Sequence, residues 1–194
     1  MSLRLKAAVA IVSFLALGAG AWLLQLNGRL PWQTARYQTE RGERWIAKLP
    51  DGSTFTLDAE STLEVRMLRT ERLVHLLRGR AFFEVAKDPQ RPFIVLAGDR
   101  RITSVGTIFE ARLQPDSVRV LTVEGQVVVA PADSRGEKGD SPQEHLKVNA
   151  GEQFLAQSGL PASVSRTDVA KLTDWQTGRS PFSSNTAARG ETAP

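Results

Sequence analysis

The feature that most constrains this chain is a run of short, turn-bounded apolar stretches, densest from Leu76 to Arg112 (LLRGRAFFEVAKDPQRPFIVLAGDRRITSVGTIFEAR). Four runs of β-branched and aromatic residues follow one another there, each closed by a turn containing Gly or Pro. A helix needs ten or more residues of 3.6-residue periodicity, and none of these runs provides it. Short strands punctuated this often specify an all-β domain.

The pattern extends on both sides. Trp45–Leu49 ends at Pro50-Asp51-Gly52-Ser53, where Pro presets φ and Gly accepts a positive one. Phe55, Leu57 and Ala59 then alternate with Thr54, Thr56 and Asp58, and Leu63, Val65 and Met67 with Glu64 and Arg66. Period-two patterning of this kind marks strands with one wet face. Arg72–Leu77 turns at Arg78-Gly79 into Ala81-Phe82-Phe83-Glu84-Val85. The two adjacent phenylalanines must point to opposite faces, so one of them needs cover from outside its own sheet. Pro92 opens Phe93–Leu96, and Ile102–Val105 meets Phe109–Leu113 at Gly106, a bulge or a close backbone approach. Val118–Val123 and Gln126–Val129 flank Glu124-Gly125. After an aperiodic polar loop, Pro131–Glu144, strands resume at His145–Val148 and Phe154-Leu155. Gly52 to Gly79 and Gly98 to Gly125 each span 27 residues, and Gly125 to Gly151 spans 26. This spacing suits a solenoid-like roll of short strands, and a sandwich equally well.

The first residues have a different character. Ala7–Leu26 carries no charge, and twenty residues at 1.5 Å each give a helix of about 30 Å, the thickness of a hydrocarbon core. Arg4 and Lys6 precede it, and Trp22 and Trp32 suit the outer interface. The expected organisation is a cytoplasmic stub (1–6), a transmembrane helix (7–26), a linker (27–38), a β domain (39–157) and a C-terminal extension (158–182). A disordered tail (183–194) completes it. The extension should hold a short helix over Ser165–Trp175, capped by Ser165 or Thr167. The competing reading of the start is a signal peptide cut near Ala19-Gly20-Ala21. Both readings send the β domain out of the cytoplasm.

Chemistry-bearing constellations are scarce. The chain has no cysteine, which excludes disulfides, thiolate metal sites and cysteine nucleophiles. His75 and His145 stand apart in strand patterns, so no metal set is readable, and no phosphate loop, dinucleotide fingerprint or serine elbow occurs. Asp51, Asp58 and Glu60 lie close enough in sequence to raise a paired-carboxylate hydrolase, against the simpler reading of solvated turn residues. Arg66, Arg69, Arg72, Arg78 and Arg80 form the one charge bias. It reads as a solvated face, or as attraction to anionic lipid head groups or an acidic partner. The net charge of +4 is too balanced for nucleic acid. No catalytic, cofactor-binding or metal-ligating residue is assigned.

Several stretches taken together resemble the periplasmic domain of FecR-family regulators. They are Leu49-Pro50-Asp51-Gly52-Ser53, Gly79 with Phe82-Phe83-Glu84-Val85-Ala86, Arg91-Pro92-Phe93-Ile94-Val95 and Gly106-Thr107-Ile108-Phe109. Val123-Glu124-Gly125-Gln126-Val127, Ala150-Gly151-Glu152-Gln153 and Trp175 with Gly178 and Phe182 continue the series. The resemblance implies a membrane-anchored signalling protein of the inner membrane, single-pass, with its C-terminal domain in the periplasm and no enzymatic activity. Its implied partner is the periplasmic signalling domain of an outer-membrane TonB-dependent receptor, in iron or other nutrient uptake. An extracytoplasmic-function sigma factor would be reached only indirectly or through a missing domain. Relatives typically place a cytoplasmic helical domain before the membrane span, where this sequence has six residues before Ala7.

Overall fold

The computed structural model describes residues 34–133 and 145–170. The expected membrane helix over 7–26, the tail over 183–194 and most of the expected Ser165–Trp175 helix lie outside them.

The central element is the strand β5, Arg72–Glu84, thirteen residues long and a member of two sheets. Its first half pairs with β4 (Thr62–Met67) and, in parallel, with β6 (Phe93–Ala97). Its second half pairs with β3 (Thr54–Leu57) and β8 (Ile108–Gln114). The first sheet continues through β1 (Thr34–Gln38) beyond β4, and through β7 (Arg100–Ser104), β10 (Gln126–Pro131) and β11 (Leu146–Asn149) beyond β6. The second continues through β2 (Trp45–Lys48) beyond β3, and through β9 (Ser117–Glu124), β12 (Glu152–Gln157) and β13 (Ser163–Arg166) beyond β8. The thirteen strands thus form one sheet folded over on itself at β5, a flattened and incompletely closed barrel.

The crossing between sheets lies at Leu77–Gly79. Gly79 has φ +86°, and a Cβ placed there would come within 2.1 Å of Ser61 Oγ. The Ser61 hydroxyl instead accepts the Arg80 amide and donates to the Ala59 carbonyl. Only glycine permits both the backbone twist and this approach. A bulge beside it, between Thr62 and Leu63, leaves Leu77 without a register partner in β4.

Of the pairings among the described strands, β5–β6 is parallel and the rest are antiparallel. Stacked solenoid coils would generate parallel ladders, so the roughly 27-residue glycine spacing reflects regular turns and not a solenoid. The alternating residues of both halves meet in one core, from Leu63, Val74 and Phe93 on one side to Phe55, Phe83, Val120 and Phe154 on the other. Phe83 spans the two, with ring centroids 5.6 Å from Phe93 and 5.1 Å from Phe109. Phe82 points the other way, yet only 7% of its surface is exposed.

Two boundaries differ from those expected. Residues 34–38, read as the end of a linker, are β1: Tyr37 packs edge-on against Phe55 at 4.9 Å, and Arg36 pairs with Glu64. The start of the expected C-terminal helix is strand as well. Ser165 lies in β13 opposite Gln153, and helical backbone begins only at 169, where the Asp168 carboxylate accepts the Ala170 amide.

Candidate functional site

Three of the stretches that carry the family resemblance, around Asp51-Gly52-Ser53, Ala86 and Arg91-Pro92-Phe93, meet at one side chain, the guanidinium of Arg72. It is 0% exposed, and its Nη1 lies 2.7 Å from the Asp51 carboxylate, itself 3% exposed. Nη1 also donates to the Ala86 carbonyl at 2.9 Å, and Nε to the Arg91 carbonyl at 2.8 Å. The cation lies 5.4 Å from the centre of the Phe93 ring. Asp51 accepts in addition from the Ser53 amide (3.1 Å) and hydroxyl (2.6 Å), and that hydroxyl accepts the Ala86 amide. The turn before β3, the segment after β5 and the segment before β6 are thereby tied to the first residue of β5.

A buried ion pair is held best when its remaining donors and acceptors are satisfied; here the Ala86 and Arg91 carbonyls engage Nη1 and Nε, while Nη2 is buried with no hydrogen-bond partner among the described residues. Burial alone would raise the Asp51 pKa, but the hydrogen bonds from Ser53 and Arg72 and the Arg72 charge outweigh it and hold the carboxyl below its ordinary value. Arg72 is therefore not part of an exposed basic face, as its place among Arg66, Arg69, Arg78 and Arg80 suggested. It sits at a core-facing position of β5, where its pattern in sequence is that of any charged strand residue. The clue available in sequence was alternation, since Arg72 is in phase with Val74 and Leu76.

The other carboxylates singled out in the sequence are also matched to β5. Asp58 pairs with Arg80, both partly buried, and Glu60 with Arg78 at 3.6 Å on the surface. Each of the three has its own arginine. A glycosidase-type acid needs a raised pKa, whereas Asp51 is shifted down. His75 lies on β5 opposite Glu64, and His145 just before β11, in separate places. Among the described residues no group of three or more His, Asp or Glu is placed to hold a metal ion.

What the fold presents to a partner is edge and surface. Among the described residues β2 pairs with β3 alone, and its Trp45 and Ile46 are 45% and 70% exposed. A free edge with unpaired backbone groups and two large apolar side chains is a template for an added strand. Arg44 and Lys48 bracket it.

Comparison with known proteins gives a consistent result. No curated protein matches. Two crystal structures, each of a candidate anti-sigma factor from Parabacteroides distasonis ATCC 8503, share the fold, with TM-scores of 0.65 and 0.64 at 24% identity. They align over 75% and 74% of this chain, which spans 66% and 65% of theirs, just under two thirds. The model of the FecR protein family matches residues 35–128, from β1 into β10. The likeness to the FecR family is therefore carried by residues 35–128 of this chain.

Proposed function

We propose that this chain is a FecR-type regulatory protein of the cell envelope, held in the inner membrane by Ala7–Leu26 with its β domain in the periplasm. In this reading the domain relays the state of an outer-membrane TonB-dependent receptor, engaged in iron or other nutrient uptake, towards an extracytoplasmic-function sigma factor. The observation that carries the reading is the FecR match over residues 35–128. The edge of β2 supplies a means of contact, because an added strand would be held there by main-chain hydrogen bonds. The protein works by contact and not by catalysis, in keeping with carboxylates each engaged by an arginine.

The test has two parts. Full-length protein should co-purify with an outer-membrane receptor, and deleting its gene should change transcription dependent on one sigma factor. A deletion that left every sigma-dependent gene unchanged would refute the signalling role. Co-purification without any transcriptional effect would reassign the protein as a structural envelope module.

A further inference from the structure

On the outer face of the second sheet, three arginines stand in one cross-strand row. Arg80 is in register with Arg112, and Arg112 with Arg119, on neighbouring strands β5, β8 and β9. Residues directly opposite in an antiparallel pair lie about 5 Å apart at Cα, so three guanidinium groups crowd one strip. The outer two have carboxylate partners: Arg80 holds Asp58, and Arg119 Nη2 holds Glu110 at 2.8 Å. Arg112, between them, has no ion pair or hydrogen bond among the described residues. Burial, then repulsion from Arg80 and Arg119, lowers its pKa against the opposing pull of Glu110 and Asp58. Arginine stays protonated under such pressure, so the strip keeps an unmatched cation.

Arg112 also lines an open groove of about 680 Å³ beside the crossing of β5. Its other walls include Glu60, Leu77, Arg78, Leu113 and Pro115. Leu77, the residue displaced by the bulge, is 45% exposed. Arg78 is 70% exposed and only loosely engaged by Glu60 at 3.6 Å. The groove thus combines one unmatched guanidinium, a second available one and an apolar floor.

We propose that this groove docks an extended acidic segment of a partner protein, with a carboxylate on Arg112 and an adjacent apolar side chain against Leu77 and Pro115. A planar guanidinium fits a carboxylate in two parallel hydrogen bonds, and the anion would offset the repulsion along the row. A lipid surface fits less well. It would need the basic side chains on one face, whereas Arg66 projects from the first sheet, in register with Thr34 and Leu73. This site is separate from the β2 edge, and its test does not depend on the signalling role.

The experiment is titration of the full chain, in neutral detergent, with a blocked peptide Glu-Leu-Glu-Leu-Glu and its Gln-Leu-Gln-Leu-Gln counterpart. The glutamate peptide should bind and the glutamine peptide should bind about tenfold more weakly or not at all. Arg112→Gln should weaken glutamate-peptide binding about tenfold, Arg78→Gln less, and Arg66→Gln not at all. The melting temperature of Arg112→Gln should match or exceed that of the native protein, because the substitution relieves repulsion. Equal binding of the two peptides would overturn the proposal, as would undiminished binding by a folded Arg112→Gln variant. So would binding to vesicles of phosphatidylglycerol and phosphatidylcholine in equal parts with none to the peptide.

Discussion

Replacing Arg72 by alanine tests whether the meeting of three family motifs at one buried cation organises the domain. The substitution leaves the Asp51 carboxylate, 3% exposed, without its counter-charge, and strips the Ala86 and Arg91 carbonyls of a donor. Removing one partner of a buried, hydrogen-bonded ion pair costs about 3–5 kcal/mol. The orphaned carbonyls push the value towards the upper end, while water entering the vacated space pulls it back, so about 4 kcal/mol is expected. For a domain of this size that corresponds to a fall in melting temperature of about 10–20 °C. Denaturant unfolding followed by circular dichroism measures it directly. The double variant Asp51→Ala with Arg72→Ala, set against the two single variants, separates the pair from its surroundings. If the two groups act together, its loss should be smaller than the sum of the single losses by about 2 kcal/mol. Additivity within about 0.5 kcal/mol, or a loss below about 1 kcal/mol for Arg72→Ala, would refute the reasoning.

Three further outcomes follow from the same structure. The Asp51 carboxyl titrates lower in the folded state than unfolded, so its contribution is full above about pH 4 and is lost as pH falls through the folded value. Stability measured against pH should therefore fall less steeply below about pH 4 in Asp51→Asn than in the native chain. Gly79→Ala must both adopt φ +86° and displace Ser61, and should cost several kcal/mol by denaturant unfolding, of order 3 or more. Gly151→Ala, with φ +80° but nothing within 4 Å, should cost only about 1–2 kcal/mol, and equal losses at the two sites would show that the Ser61 contact is immaterial. Ile46→Lys on the exposed β2 edge should change stability by no more than about 0.5 kcal/mol while abolishing co-purification with a receptor; retained co-purification places the contact elsewhere.

The strands were readable because each announces itself locally. Phe55 and Leu57, or Phe109 and Ala111, alternate with polar neighbours, and their turns carry Gly or Pro. Gly106 was readable as a close approach, and a Cβ there would indeed meet the Lys87 backbone at 2.8 Å. Local patterning is silent on pairing. Nothing around Arg72–Glu84 declares that one strand serves two sheets, because that depends on which strands find its two halves. β1 escaped notice because Thr34–Gln38 alternates only weakly, and its order comes from β4 and from Tyr37 against Phe55. Charge was the hardest to place. Arg72 and Arg66 look alike in sequence, but one is enclosed and the other exposed, a difference made by Asp51 and two carbonyls that lie far from Arg72 along the chain. Likewise, the Arg80–Arg112–Arg119 row exists only through the register of β5, β8 and β9.

The sharing of β5 by both sheets has a mechanical consequence. The edge strands β1 and β2 each reach β5 through a single intermediate strand, β4 or β3. A pull applied to either edge is therefore loaded within two ladders onto the same covalent chain, and the bend at Gly79 is wedged by Ser61 against opening. The two halves cannot slide past one another without breaking the ladders of β5. A tug at either rim thus meets β5 first, and through β5 it reaches both sheets together.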